Sequence, residues 1–245
     1  MYQPRRAASA PLLGPRGAPI RVAIVDDHRI FAEMLAETLA AEGGVVTWIA
    51  PRLDALPALL AEQPPADVAL VDYLLPDGRG TDAIAAIRRA WPACRCLLFT
   101  GLENDDVFEE AVASGADGVL MKRLAGADDV ADAVRRAAAG EILLDPSFLT
   151  RLVRRTAAGS FRSGQIVEKL TPRERAALEV LLEAGGTEAA AERLGIAPST
   201  YRVHLHNAMA KLGADGRLDA ISRALKAGVI RPPEVVLGGA TDGGR

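Results

Sequence analysis

The sequence predicts an α/β domain built on a doubly wound, five-stranded parallel sheet, followed by a small all-α domain. In the first part of the chain, short apolar runs alternate with amphipathic stretches, and turn residues separate them. Continuous apolar runs are typical of strands buried on both faces, and their alternation with helices is typical of parallel sheets. In the second part, helical spacing continues from residue 170 to 228 without a strand.

The individual elements follow from these patterns. Strands are predicted at 22–25, 45–49, 68–71, 96–99 and 119–121. Between the strands, apolar residues recur every three or four positions, as Ile84, Ile87 and Trp91 do, which predicts five helices. In the all-α part, Thr171, Pro172 and Glu174 form a helix start. Further helices are predicted at 187–194, 198–211 and 215–227.

Changes in composition predict the boundaries of these parts. A linker rich in small and polar residues separates the two domains, with a short helix near 147–156. The predicted division is a disordered extension at 1–19, the α/β domain at 20–140, the linker at 141–168, the all-α domain at 169–230 and a disordered tail at 231–245.

Length and composition exclude several classes of protein. The chain has 245 residues, 49% of them hydrophobic and 25% charged, which is close to globular averages. No apolar run approaches the ~20 residues of a membrane span, and prolines interrupt the N-terminal segment where a secretory signal needs an apolar region. Cys94 and Cys96 are too close to bridge and are expected as free thiols. We therefore predict a soluble, cytoplasmic protein with no membrane partner.

The formal net charge of −3 conceals opposite balances in the two domains. Residues 20–140 hold 11 Lys and Arg against 20 Asp and Glu, whereas residues 169–232 hold 10 against 7. Acidic clusters bind cations and basic surfaces bind phosphates, so we expect the two domains to have different tasks.

Polar side chains follow the predicted strands at the points where the strands end. Asp26 and Asp27 follow the first strand, Asp72 the third, Thr100 the fourth and Lys122 the fifth. The carboxyl ends of parallel strands meet at one edge of a sheet, where ligands bind. One acid at a strand end is equally consistent with a helix cap, but five polar residues in this order predict a shared pocket. Such a pocket fits Mg²⁺, and a carboxylate beside it can accept a phosphoryl group as an acyl phosphate.

Residues 20–140 resemble the receiver domain of two-component systems, which has a flavodoxin-like fold. The resemblance rests on four stretches: VAIVDDH, ALVDYLLPDGRG, CLLFTG and GADGVLMKR. The resemblance implies that Asp72 is the phosphoacceptor and that Thr100 and Lys122 contact the phosphoryl oxygens. It also implies a Mg²⁺ site formed by Asp27, Asp72 and the Leu74 backbone carbonyl, with Asp26 acting mainly through water.

Two positions depart from the receiver pattern. Val119 stands three residues before the lysine, where the family usually has an aromatic switch residue, and a valine cannot rotate as a ring does. Leu74 stands two residues after Asp72 and has no polar atom to orient an attacking water. The second departure predicts a comparatively long-lived acyl phosphate.

The helix predicted at 198–211 has two distinct faces. One is apolar and formed by Tyr201, Leu205, Ala208 and Leu212, as packing requires. The other can touch base edges or phosphates in a DNA groove, with Lys211 and also Arg217 as candidate phosphate contacts. The predicted DNA-binding residues are Ser199, Thr200, Arg202, Val203, His206, Asn207 and Lys211. From periodicity alone, a plain helical bundle with a solvated face is an equally good interpretation.

Residues 168–230 resemble a LuxR/FixJ-type, NarL-like helix-turn-helix domain. The resemblance rests on the stretches LTPRERAALEVL and APSTYRVHLHNAMAKLG. The resemblance implies that the helix with Arg202, Val203 and His206 enters the major groove, and that the last helix, near 218–225, forms a dimer. Ala197 stands where the family usually has a Ser or Thr cap.

Together these features predict a DNA-binding response regulator and not a metabolic enzyme. Its expected partners are double-stranded promoter DNA, a cognate histidine kinase and a second copy of the chain, with RNA polymerase as a further candidate. Three alternatives remain open: a transcription factor that does not depend on phosphorylation, an aspartyl-phosphate phosphatase, and a helical module that binds protein. Leu74 argues against the phosphatase, because that reaction needs a second acid at this position.

Overall fold

The computed structural model describes residues 11–14, 17–101, 105–122, 126–144, 148, 169–184 and 186–231. Its centre is a five-stranded parallel sheet with the order β2-β1-β3-β6-β7. The strands of this sheet are β1 (Arg21–Val25), β2 (Val45–Ala50), β3 (Val68–Asp72), β6 (Arg95–Thr100) and β7 (Gly118–Met121). The predicted fold class is confirmed, and each predicted strand lies within one residue of its observed bounds.

Helices cover both faces of this sheet, which is why the strands are apolar on both sides. They are α1 (Arg29–Ala41), α2 (Leu56–Glu62), α3 (Gly80–Ala90), α4 (Asp105–Ser114) and α5 (Ala127–Ala138). On one face, Leu35 of α1 and Val134 of α5 pack on Leu70 of β3. On the other face, Ile84 of α3 and Val71 of β3 belong to a second buried cluster. Successive residues of β3 thus point to opposite sides, as the strand geometry requires.

A short antiparallel hairpin follows the third sheet strand directly. Its strands are β4 (Leu74–Leu75) and β5 (Gly78–Arg79), and α3 begins at Gly80. Asp77 at the turn accepts hydrogen bonds from the backbone N–H groups of Leu53 and Asp54, each at 3.0 Å. These bonds attach the hairpin to the segment before α2.

The segment before β1 corrects the prediction of a disordered extension at 1–19. Leu12 is fully buried, and its backbone N–H donates to the Glu42 carbonyl at 2.7 Å. The Ile20 N–H donates to the Leu12 carbonyl at 2.9 Å. Residues 11–14 and 17–19 are thus ordered because Leu12 packs into the core. The proline and glycine content of this segment had predicted disorder instead. Residues 1–10 lie outside the described part.

The start of the predicted linker is also ordered. Leu143 forms a parallel bridge with Gly118 at the sheet edge, and its carbonyl accepts from the Val119 N–H at 2.8 Å. Residues 141–144 therefore belong to the α/β domain. Of the helix predicted near 147–156, the structure describes Phe148 alone, and the tail beyond 231 lies outside the described residues.

The all-α domain consists of α6 (Pro172–Glu179), α7 (Thr187–Arg193), α8 (Pro198–Leu212) and α9 (Arg217–Lys226). The helix start predicted at 171–174 is confirmed: the Thr171 hydroxyl accepts from the Glu174 N–H, and the Glu174 carboxylate accepts from the Thr171 N–H. Ala197 precedes α8 and makes no side-chain cap. Among the described helices, none has an apolar stretch long enough to cross a bilayer.

Candidate functional site

The parallel register brings the predicted pocket residues to one edge of the sheet. Asp72 pairs with Phe99, and Thr100 pairs with Met121, so these strand ends lie side by side. Asp26, Asp72 and Thr100 are all buried, with exposures of 3%, 5% and 1%. The pocket predicted from strand ends is therefore present as a geometric cluster.

Lys122 connects two of the buried acids. Its Nζ donates to Asp26 Oδ2 at 2.9 Å and to Asp72 Oδ2 at 2.8 Å. Burial by itself would lower the pKa of Lys122, but its hydrogen bonds to Asp72 and Asp26 outweigh burial and raise it. The ammonium group therefore stays charged at neutral pH and partly offsets the crowded carboxylates.

Asp72 is held in a less favourable electrostatic environment. Burial raises the pKa of its carboxyl group, and repulsion from Asp26 adds to the rise, while the Lys122 hydrogen bond opposes it. A buried carboxylate whose charge is incompletely compensated attracts a further cation. This effect is the physical reason for expecting a metal ion at the site.

One member of this cluster, His28, was not predicted from the sequence. Its Nδ1 lies 2.9 Å from Asp27 Oδ1, 3.2 Å from Asp26 Oδ1 and 3.7 Å from Asp72 Oδ2. Its backbone N–H also donates to Asp26 Oδ1. The only available signal was its position directly after the acid pair, and that signal is weak because the residue opens a helix.

The donor set fits a hard divalent cation. Asp26, Asp27, His28 and Asp72 each offer a ligand atom, and these atoms lie within 4.8 Å of one another. Three of the four donors are carboxylates, the ligands that Mg²⁺ prefers. The site is thus an acidic pocket whose donor atoms suit Mg²⁺.

A neutral replacement of Asp72 is expected to stabilise the protein. Asp72→Asn should raise the thermal midpoint at pH 7 by about 2–4 °C, because it removes a buried charge that folding disfavours. The pKa of Asp72 is higher in the folded than in the unfolded protein, so the ionised carboxylate destabilises the folded state at neutral pH. This destabilisation disappears below pH ~4, where Asp72 is protonated in both the folded and the unfolded state.

Thermal unfolding at pH 7 and at pH 3 checks this expectation. Asp54→Asn is the matched control, because the Asp54 side chain is 65% exposed. The interpretation is wrong if both variants shift the midpoint equally, or if the Asp72 variant is destabilised at pH 7.

The predicted DNA-contacting residues share one exposed surface of α8. The apolar face is confirmed, because Tyr201, Leu205, Ala208 and Leu212 are buried. The opposite surface carries seven exposed residues: Ser199, Thr200, Arg202, Val203, His206, Asn207 and Lys211. Val203, at 56% exposure, is one of the exposed large apolar residues in the described chain. This surface is not covered by the α/β domain.

Two basic residues that were predicted to contact DNA phosphates already have partners within the protein. Lys211 Nζ pairs with Glu174 at 2.7 and 2.8 Å, so its charge is already compensated. Arg217 was a candidate phosphate contact, but it is 4% exposed and donates to the Gly140 carbonyl. Burial, with repulsion from Arg95, lowers the pKa of Arg217 to about 10. Arg217 therefore belongs to a contact between domains and not to a DNA surface.

This contact joins the N-terminal end of α9 to the α/β domain. A Cβ at Gly216 would lie 2.6 Å from the Gly115 backbone, so the two backbone segments touch without side chains between them. Arg88 donates to the Asp215 carbonyl at 2.9 Å, and the Thr187 N–H donates to the Ala139 carbonyl at 2.9 Å. Helix α9 consequently packs against α4, while α8 keeps its polar surface in solvent.

Comparison with known proteins agrees with both parts of this structure. Residues 22–135 match the response regulator receiver domain family, and residues 168–224 match the luxR family of bacterial regulatory proteins. The DNA-binding transcriptional activator DevR/DosR of Mycobacterium tuberculosis is 31% identical over 87% of this chain and 98% of its own. The chain belongs to the response regulators of two-component systems.

Other relatives support the same assignment. The probable transcriptional regulatory protein NarL of M. tuberculosis is 30% identical over 86% of this chain and 96% of its own. A LuxR-family response regulator of known structure, from Aurantimonas sp., shares the fold with a TM-score of 0.51 and 24% identity, over 57% of this chain and 99% of that one. This response regulator is thus a receiver domain joined to a LuxR-type helix-turn-helix, homologous to DNA-binding transcription regulators.

Proposed function

We propose that Asp72 is the phosphoacceptor of this response regulator. In this step, an Asp72 carboxylate oxygen forms a bond to phosphorus while the phosphorus–nitrogen bond of a kinase phosphohistidine breaks. The imidazole leaves with a proton, and Asp72 becomes an acyl phosphate. The observation that carries the proposal is the contact of Asp72 with Lys122 at the buried sheet edge.

The neighbouring residues have separate tasks in this proposal. Lys122 is a charged donor beside Asp72 and can offset negative charge on the transferring oxygens. Thr100 ends the adjacent strand and can donate its hydroxyl to the same oxygens. Mg²⁺ would be held by Asp27, Asp72 and the Leu74 carbonyl, with Asp26 acting through water, and would supply charge neutralisation.

The second activity is promoter binding by α8 in the cytoplasm, where bacterial promoter DNA lies. We propose that Ser199, Thr200, Arg202, Val203, His206 and Asn207 face the major groove, because all are exposed on one side of the helix. Lys211 is paired with Glu174, so a phosphate contact would compete with that pair. Binding as a homodimer to two half-sites requires a free α9 if that helix forms the dimer, as the family resemblance implies.

The contact between domains suggests how the two activities are connected. In the observed arrangement, most of α9 is buried, including Leu218, Ile221 and Ser222. Phosphorylation that alters α4 would weaken the contact at Gly115 and release α9 for dimerisation. A histidine kinase is the expected donor, and RNA polymerase is a further candidate partner at the promoter.

Incubation of the full chain with phosphoramidate and Mg²⁺, followed by intact mass measurement, tests the proposal. Wild type should gain one phosphoryl group, and Asp72→Ala should gain none, because the acceptor oxygen is absent. Asp54→Ala, which changes an exposed acid outside the pocket, should behave as wild type.

Failure of the wild type to gain mass would favour the alternative of a phosphorylation-independent regulator. Uptake by Asp72→Ala would place the acceptor elsewhere. A time course of the same masses after removal of phosphoramidate checks the predicted long lifetime of the acyl phosphate.

A further inference from the structure

Tyr73, the residue bonded to the proposed phosphoacceptor, is fixed on both sides of its backbone. Its N–H donates to the Phe99 carbonyl of β6 at 2.9 Å, and its carbonyl accepts from the Gly80 N–H at 2.9 Å, where α3 begins. The residue as a whole is 2% exposed. Tyr73 is therefore a buried aromatic residue whose backbone is anchored directly beside Asp72.

The Tyr73 side chain reaches helix α4 and ends in a polar group of three residues. Its hydroxyl donates to Glu110 Oε2 at 3.1 Å, and Arg79 Nη1 donates to the same hydroxyl oxygen. The Arg79 guanidinium also lies 5.2 Å from the centre of the Tyr73 ring and 3.5 Å from Glu110 Oε2. Tyr73, Arg79 and Glu110 thus form a closed triad.

The triad is placed between the phosphoacceptor and the contact between domains. Glu110 belongs to α4, and Gly115 at the end of that helix touches Gly216 before α9. Val119 on edge strand β7 is 3% exposed and has no polar atom to bind a helix. The Tyr73 hydroxyl supplies a polar connection to α4 that Val119 cannot.

We propose that Tyr73 is a positioning residue, which holds α4 through Glu110 and couples the state of Asp72 to α9. The coupling rests on the proposed function of Asp72, whereas the holding of α4 does not. In the observed state, the triad keeps α4 at the strand end and α9 packed on α4. Conversion of the Asp72 carboxylate to an acyl phosphate replaces one negative charge by about two, a net gain of ~1 next to Tyr73, which shifts this residue and loosens its bond to Glu110.

Hydrogen exchange of the full chain with and without phosphoramidate and Mg²⁺ tests both parts. In Tyr73→Phe without phosphoramidate, backbone amides of α4 and α9 should exchange about fivefold faster than in wild type, because one partly buried hydroxyl bond is lost. Glu110→Gln should give a smaller increase, since it keeps an acceptor but loses the charge that pairs with Arg79.

Thr47→Val is the matched control, because it removes another partly buried hydroxyl bond of the receiver, to the Val22 carbonyl at 3.2 Å. This residue lies on edge strand β2, at the opposite side of the sheet from α4. Exchange in α4 and α9 should therefore match the wild type. Equal exchange in Tyr73→Phe and wild type would overturn the proposal.

Intact mass separates this inference from the proposed function. Tyr73→Phe should still gain one phosphoryl group, because Asp72 and Lys122 are unchanged, but its additional exchange in α9 on phosphorylation should fall below half of the wild-type change. A full wild-type response in Tyr73→Phe would overturn the coupling. If the wild type gains no phosphoryl group, the proposed function of Asp72 fails, and the coupling of Asp72 to α9 fails with it. The exchange measured without phosphoramidate still decides whether Tyr73 holds α4.

Discussion

Replacing Asp117 with alanine is expected to lower the free energy of unfolding by about 3 kcal/mol or more, because the change leaves arginine charges without their buried carboxylate. Asp117 is fully buried and accepts from Arg88 Nη1 and Arg95 Nη1, each at 3.3 Å. It also accepts from the Cys96 N–H at 3.1 Å. Arg88 in turn donates to the Asp215 carbonyl. The substitution should therefore weaken both the receiver and its contact with the all-α domain.

Urea unfolding at pH 7 measures this loss, with Asp67→Ala as the matched control. Asp67 also pairs with an arginine, Arg21, but both side chains are about 40% exposed. Exposed pairs contribute roughly 1 kcal/mol or less, so the control should lose much less stability. Equal losses of unfolding free energy in the two variants would contradict the claim that the buried ion pairs of Asp117 stabilise the protein more than the exposed pair of Asp67. Asp117→Asn, which keeps an acceptor, should fall between wild type and Asp117→Ala.

Gly80→Ala is expected to prevent stable folding of the receiver or to displace Asp72, the proposed phosphoacceptor. A Cβ at this position would lie 1.9 Å from the Asp72 carbonyl oxygen and 2.9 Å from Val71 Cγ1. The first contact is with backbone, so no side-chain rotation can relieve it. Overpacking of this kind costs about 3 kcal/mol or more when backbone must move. Asp72 lies on that backbone, so phosphoryl acceptance should be lost together with stability.

Gly101→Ala is the matched control, since a Cβ at Gly101 would meet no atom within 4 Å. Circular dichroism and urea unfolding should show wild-type stability for the control and a large loss for Gly80→Ala. A Gly80→Ala protein with wild-type stability and normal phosphoryl uptake would contradict the close approach between α3 and β3.

Local patterns were sufficient to predict the sheet and most of the proposed phosphoryl pocket. Buried strands need continuous apolar runs, and because parallel strands all run in the same direction, every carboxyl end lies at one edge of the sheet. For this reason, Asp26, Asp72, Thr100 and Lys122 could be assigned to one pocket before their positions were known. The apolar face of α8 was predictable in the same way, because helical periodicity alone determines which residues share a side.

Other features depend on contacts between distant segments, and no local pattern contains them. Leu12 is buried under residues about 30 positions later, so proline and glycine composition suggested disorder where packing produces order. Lys211 meets Glu174 across 37 positions, and Arg217 meets Gly140 across 77. A charged residue has the same sequence signature whether it is solvated, paired or buried. Only its tertiary neighbours distinguish these cases.

The sequence by itself therefore determined the fold class, the positions of the five sheet strands and of the helices between them, and most of the polar residues that converge at the sheet edge, because these follow from periodicity and topology. The tertiary structure alone decided that α9 packs on α4, that Arg217 lies between domains, and that Tyr73 connects the end of β3 to Glu110. Each of these contacts joins two surfaces that come from distant parts of the sequence. Its energy depends on how well the two surfaces match in shape and charge, and no local sequence pattern contains that information.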